Sequence, residues 1–132
     1  MAATVVDVMK KMTESGRLII CTIHQPSSEI FALFDHLYLM VEGRVAYAGP
    51  RDGAVGYFAN LGYVCPETHN PADFLIRLLA INPDYVAECR KRADEFVAAF
   101  QASELNQRIE VRRMKIKIES KSFSSSSERK LC

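Results

Sequence analysis

The sequence predicts an α/β fold, and three observations carry that prediction. Leu18 to Ile23 is apolar at every position except Thr22, which suits a strand covered on both faces, as in a parallel sheet flanked by helices. Two strand-like runs, Leu37 to Val41 and Arg44 to Ala48, are joined by Glu42-Gly43, the pattern of a β-hairpin whose glycine takes the positive φ of a tight turn. Between these runs lie segments with helical spacing and recognisable caps.

In chain order, Val5, Val6, Met9 and Met12 recur at helical spacing, with Asp7, Lys10, Lys11 and Glu14 on the opposite face and Gly16 where a helix ends. The apolar run 18–23 follows as the parallel strand. After Pro26, Ser27 or Ser28 caps a helix whose apolar residues Ile30, Phe31, Phe34 and Leu37 follow the i, i+3, i+4, i+7 pattern. The hairpin comes next, then a short helix over 54–61 closed by Gly62. Asn70-Pro71-Ala72-Asp73 places a capping side chain at N-cap, proline at N1 and an acid at N3, so a helix over 71–80 starts sharply.

From about Asp84 to Ile109 the pattern is helical again, with Val86, Cys89, Ala93, Phe96, Val97, Phe100 and Leu105 available for one face. Arg108, Arg112, Arg113, Lys115, Lys117 and Lys121 make the following stretch basic, which reads as a solvated face or as a contact with a partner or a lipid headgroup. Residues 119–132 hold six serines and almost no bulky apolar side chains, which predicts a disordered tail. The expected organisation is therefore an α/β unit over 1–83, a helical linker over 84–118 and that tail over 119–132. Residues 1–17 supply a helix and no strand, so the 18–23 strand lacks the neighbours a parallel sheet requires, and the chain reads as starting inside a fold.

Composition bounds the function classes. The chain has 132 residues, 48% hydrophobic and 25% charged, with a formal net charge of +1, which fits one soluble globular domain with no global attraction to nucleic acid. The longest near-apolar stretch, 30–41, is broken by Asp35 and His36 and falls short of the roughly 20 residues a bilayer needs. The start lacks a signal-peptide pattern, so cytosolic exposure of this chain is the expectation. Cys21, Cys65, Cys89 and Cys132 form no C-x-x-C, and neither a disulfide nor a zinc or other metal site is expected from them.

The sequence TIHQP sets His24 at the end of the apolar run. Ligands of open α/β sheets collect at the carboxyl ends of strands, and Pro26 biases Gln25 toward an extended conformation, holding both polar side chains in a short stiff loop. A histidine in that place serves either as a ligand or catalytic contact or as a hydrogen-bonded boundary residue. His36 and His69 have no comparable setting and read as structural or surface residues.

The ordered set LIICTIHQPSSEIFALFDHLYLMVEGRVAYAGP, then GYFANLGYVCP, then NPADF closely resembles the second half of the nucleotide-binding domain of ABC transporters of the G subfamily, and within it the White-type eye-pigment precursor half-transporters. The resemblance covers about residues 2–105. It implies a partial P-loop NTPase-like fold and a switch role for His24, whose imidazole approaches the γ-phosphate of ATP, with Gln25 beside it. That role is physically sensible, because phosphoryl transfer is mainly positioning and electrostatic stabilisation, and an imidazole with a pKa near 6.5 is mostly neutral at cytosolic pH and still donates one hydrogen bond. The resemblance also implies that Asn70, Pro71, Asp73 and Phe74 lie near the contact between two nucleotide-binding domains. Helix capping alone accounts for Asn70, Pro71 and Asp73, and both readings stand.

The departures from that family pattern bear on activity. No G-x-x-x-x-G-K-[ST] occurs, and neither the L-S-G-G signature nor an apolar strand ending in Asp-Glu is present. The expected function is therefore that of a fragment of an ATP-hydrolysing domain, which in the intact transporter uses ATP and Mg²⁺, dimerises with a second half-transporter and drives a small organic substrate across a membrane. Alone, the fragment is expected to bind no cofactor and hydrolyse nothing. The alternative is a non-catalytic short product that docks on an intact half-transporter and modulates its dimerisation. A stand-alone hydrolase with His24 as general base is the weakest reading, since no nucleophile or carboxylate is paired with it nearby.

Overall fold

The computed structural model describes residues 2–128, with side chains described over 5–120. The elements are α1 (Ala2–Glu14), α2 (Ser28–Ala32), β1 (His36–Val41), β2 (Arg44–Pro50), α3 (Arg51–Asn60), α4 (Pro71–Leu79), a 3₁₀ turn (Pro83–Tyr85), α5 (Val86–Ala102) and α6 (Glu104–Glu128). Among the described residues the sheet has two antiparallel strands, β1 and β2.

The hairpin forms where the sequence predicts it. Val41 pairs with Arg44, and the two loop residues Glu42 and Gly43 both have positive φ, 46° and 75°. That combination is the type I′ loop, whose twist matches the strands it joins. A bulge follows, because Leu39 pairs with Tyr47 while Met40 pairs with Val45, leaving Ala46 unopposed. Ala46, Tyr47 and Ala48 are buried in succession, so β2 is covered on both faces and not on one.

The cover comes from α3 and α5, which lie against β2. Phe96 of α5 meets Phe58 edge-on at 5.1 Å and Tyr63 at 5.0 Å, while Tyr57 lies 5.2 Å from Phe58 and 5.1 Å from Tyr47. Tilted and edge-to-face rings of this kind add attraction beyond the area they bury. The Tyr47 hydroxyl donates to the Pro50 carbonyl at 2.7 Å, which satisfies it inside the cluster. Leu75 and Ala72 of α4 and Phe31 of α2 close the same core.

Five features depart from the sequence reading. The parallel strand expected over 18–23 is not a strand: residues 17–23 are irregular, without a ladder partner, and Leu18 and Ile20 are each 86% exposed. A parallel strand exists only through hydrogen bonds to its neighbours, and none are at hand. The helix after Pro26 stops at Ala32, because Leu37 is drawn into β1. The stretch expected as a linker from residue 84 contributes the core face of α5, with Cys89, Ala93, Phe96, Val97 and Phe100 buried.

The helix expected across 84–109 is also divided at Ser103, whose hydroxyl accepts from the Asn106 amide at 3.2 Å and whose carbonyl accepts from Gln107 at 3.1 Å, a local cap that competes with continuation. Beyond it α6 runs through Glu128, where a disordered tail is expected from 119; no glycine or proline interrupts it. Residues 129–132 of that expected tail lie outside the described residues.

Candidate functional site

The sequence singles out two loops 44 residues apart, and the structure joins them. The Asn70 side chain accepts the Ala72 amide at 2.9 Å, capping α4, and its amide nitrogen donates to the Pro26 carbonyl at 3.5 Å. The first bond is strong and local; the second is at the long limit for a hydrogen bond and acts as a loose tether. Ser27 closes the other side of the loop, with its hydroxyl accepting from the Ile30 amide at 3.3 Å and its carbonyl from the Phe31 amide at 2.8 Å. The starts of α2 and α4 thus converge on the segment that carries His24 and Gln25.

Gln25, Pro26 and Ser27 line a shallow polar depression with Asn70, Asp73, Ile76 and Arg77. So Gln25, which the sequence reading sets beside His24 at the nucleotide, shares a depression with Asn70 and Asp73, which it sets at a domain contact. His24 is exposed and lies outside that depression, at the end of the unpaired segment. Phe74 is half-buried against the core, which gives it a packing role in this chain, and Pro71 is half-buried at the start of α4. His36 opens β1 on the surface, and His69 is exposed with Nδ1 3.4 Å from the Thr68 hydroxyl.

One local expectation is corrected. Gln25 is not extended: its φ is 46°, in the left-handed region, although a proline follows it. That conformation costs a non-glycine residue of order 1 kcal/mol. It occurs where the chain must swing from the 17–23 segment into the capped start of α2. Arg77 and the Pro26 carbonyl are the site members that pattern reading misses. Arg77 has a weak signal, standing four residues after Asp73 on α4.

A second, larger feature borders the loop. An open groove of about 1570 Å³ runs along the unpaired segment, with Leu18, Ile20, Ile23, Phe31, Leu37 and Leu75 among its lining and Arg108, Arg112 and Lys115 at its edge. Its lining is mostly apolar, and one wall is the bare side chains of the segment itself. At its rim the carboxyl group of Asp35 is held below the ordinary carboxylate range, first by its hydrogen bond from Lys10 and then by the charge of that lysine. Inside the core, burial pushes the Tyr47 and Tyr57 hydroxyls up from their usual values.

These residues do not by themselves make a nucleotide pocket. The depression contains the exposed carboxylate of Asp73, which repels a phosphate, and its one cation is Arg77. What the loop presents is a single imidazole and a neighbouring side-chain amide, both exposed. Among the described residues no group of three or more His, Cys, Asp or Glu side chains is placed to hold a metal ion.

Residues 24–94 match the family model described as ABC-2 type transporter, labelled as a membrane component. The chain is 40% identical over 128 residues to "Protein white" of Ceratitis capitata, covering 97% of this chain and 19% of that protein. It is 41% identical over 109 residues to "ABC transporter ATP-binding protein/permease wht-1" of Caenorhabditis elegans, covering 83% and 16%. It is 44% identical over 103 residues to "Broad substrate specificity ATP-binding cassette transporter ABCG2" of Sus scrofa, covering 78% and 15%. The chain therefore spans less than a fifth of the length of each of these relatives. No helix among the described residues is long and apolar enough to cross a membrane.

Proposed function

This chain belongs to the ABC-2 type transporter family, and on that premise we propose that it forms the C-terminal part of the nucleotide-binding domain of a White-type G-subfamily half-transporter. In the intact protein, ATP with Mg²⁺ is held by segments outside this chain, and His24 reaches the γ-phosphate from the end of a sheet strand, with Gln25 beside it. Binding and hydrolysis of ATP by two such domains, one from each half-transporter, drive a small organic substrate across the membrane. Asn70, Pro71, Asp73 and Phe74 lie near the contact between the two domains, with Asp73 on the exposed face of α4.

The observation that carries this reading is the unpaired segment. An apolar run with Leu18 and Ile20 bare, both edges unbonded and a groove alongside requires cover, and a run of that composition is what a sheet buried on both faces contains. His24 then stands at the carboxyl end of a central strand, where α/β sheets bind their ligands. The relatives add support, since one is named an ATP-binding protein and permease and another an ATP-binding cassette transporter. The absence of a membrane-crossing helix among the described residues is compatible with a cytosolic domain of such a protein.

The test is His24→Ala in the full-length parent. Losing one preorganised donor at the transferring group lowers ATP turnover by about a hundredfold or more, while nucleotide binding, held by other residues, stays within about threefold. Unchanged turnover removes the switch assignment.

A further inference from the structure

The function proposed above assigns no role to residues 108–118 of α6, yet they have a defined pattern. Val111, Met114 and Ile118 are spaced i, i+3, i+7, so they stack on one helix face, and they are 54%, 62% and 68% exposed. Arg108, Arg112 and Lys115, spaced i, i+4, i+7, form a ridge on one side of that stripe. Arg113 and Lys117, spaced i, i+4, form a ridge on the other. The helix is anchored at its start by Leu105, which packs against the core, and Ile109 and Ile116 continue that row on the face away from the stripe. All residues from 111 to 120 are exposed.

Between 108 and 118 five cations face one carboxylate, Glu110. Glu110 meets Arg113 at 3.4 Å and Glu104 meets Arg108 at 3.6 Å, both on the open surface, where such pairs are weak and screened by salt. They are easily exchanged for a stronger anion. We propose that the 108–118 stretch of α6 lies on a bilayer surface containing anionic lipids, with Val111, Met114 and Ile118 at the acyl boundary and the two cationic ridges among the headgroups. Symmetric flanking favours a plane over a groove: long cationic side chains on both shoulders reach headgroups while their stems cover apolar surface. A polyanion without an apolar phase leaves the stripe bare. Three apolar residues are few, so attachment depends on charge as much as on burial, and anionic lipid is required.

The experiment is co-sedimentation of the full 132-residue chain with vesicles of phosphatidylcholine alone and of phosphatidylcholine with about one-third phosphatidylserine. The expected result is binding to the second and not the first, weakened strongly at about 0.5 M salt. Lys115→Gln with Lys117→Gln lowers association about tenfold or more, and Met114→Ser with Ile118→Ser does the same while far-ultraviolet dichroism stays unchanged. Leu18→Ser with Ile20→Ser, in the other exposed apolar stretch, leaves association unaltered. No sedimentation with either vesicle, or equal sedimentation with both, overturns the proposal. So does full binding by the Met114/Ile118 variant, which signifies contact with any polyanion, such as an acidic protein. Loss confined to the Leu18/Ile20 variant overturns it as well, by assigning attachment to the groove.

Discussion

Ile20→Ala separates the free chain from the intact protein. In this structure Ile20 is 86% exposed, so removing three of its carbons gives up almost no burial, and a surface change of this kind stays within about 0.5 kcal/mol. In a sheet that covers both faces of 18–23, the same side chain is a core residue, and truncating it to alanine costs about 2–5 kcal/mol, transfer and cavity together. The difference between the two contexts is thus about 1.5 kcal/mol at least, a factor of roughly 10 in the unfolding equilibrium. The assay is urea unfolding of the 132-residue chain and of the longer nucleotide-binding domain in which the proposed function places it, each with and without the substitution. A loss above about 2 kcal/mol in the short chain refutes the exposure seen for Ile20. A loss near zero in both contexts refutes the idea that neighbouring strands cover the segment, and with it the placement of His24 at a strand end.

Three further outcomes follow from the described contacts. Phe96→Ala removes a 1% exposed ring that joins Phe58 and Tyr63, so it costs about 3–5 kcal/mol, read as a fall in the urea midpoint. Asn70→Ala loses the cap on the Ala72 amide and costs about 1 kcal/mol, which Asn70→Asp largely restores because aspartate caps equally well; thermal unfolding of the two variants checks this. Asp35, whose carboxyl group is lowered by the hydrogen bond and charge of Lys10, contributes a stabilisation that is present above its unfolded value and is lost as pH falls through its lower folded one. Acid titration of the Asp35 carboxyl resonance shows the lowered midpoint, and Lys10→Ala returns it toward the ordinary value near 4.

The elements that depend on nearby residues were legible in the sequence. The Glu42-Gly43 turn, the Ser27 and Asn70 caps, and the helix ends before Gly16 and Gly62 are all set within a few residues, and all appear where expected. The apolar positions of α5 are legible in the sequence but their role is not: periodicity reveals a face without revealing what it packs on, so the same pattern suits a linker and a core helix. The break at Ser103 was missed because serine tolerates a helix interior and a cap equally in pattern, and only the Asn106 and Gln107 amides decide between them. At the candidate loops the sequence marks Gln25 and Asn70, which the structure brings into one depression, but not the Pro26 carbonyl that links the two loops. Backbone groups carry no signature in a sequence.

The same contacts show why the histidine and the unpaired segment belong to one argument. The loop is held on its C-terminal side by Ser27 bonds at 2.8 and 3.3 Å and by the Asn70 tether at 3.5 Å. On its N-terminal side residues 17–23 make no ladder bonds, and Gln25 stores the strain of a left-handed conformation between the two. A contact that assists phosphoryl transfer must be held to within about 0.5 Å, which a loop fixed at one end does not provide. Under the proposed function, strand neighbours for 18–23 would do more than cover Leu18 and Ile20: they would fix the second end of the loop and with it the direction of the His24 ring. It follows that Ile20→Ala, applied to the parent, lowers ATP turnover by more than the fraction of protein it unfolds, even though Ile20 itself touches no nucleotide. If turnover per folded molecule is unchanged, the ring is positioned from the Ser27 and Asn70 side alone, and the strand serves stability only.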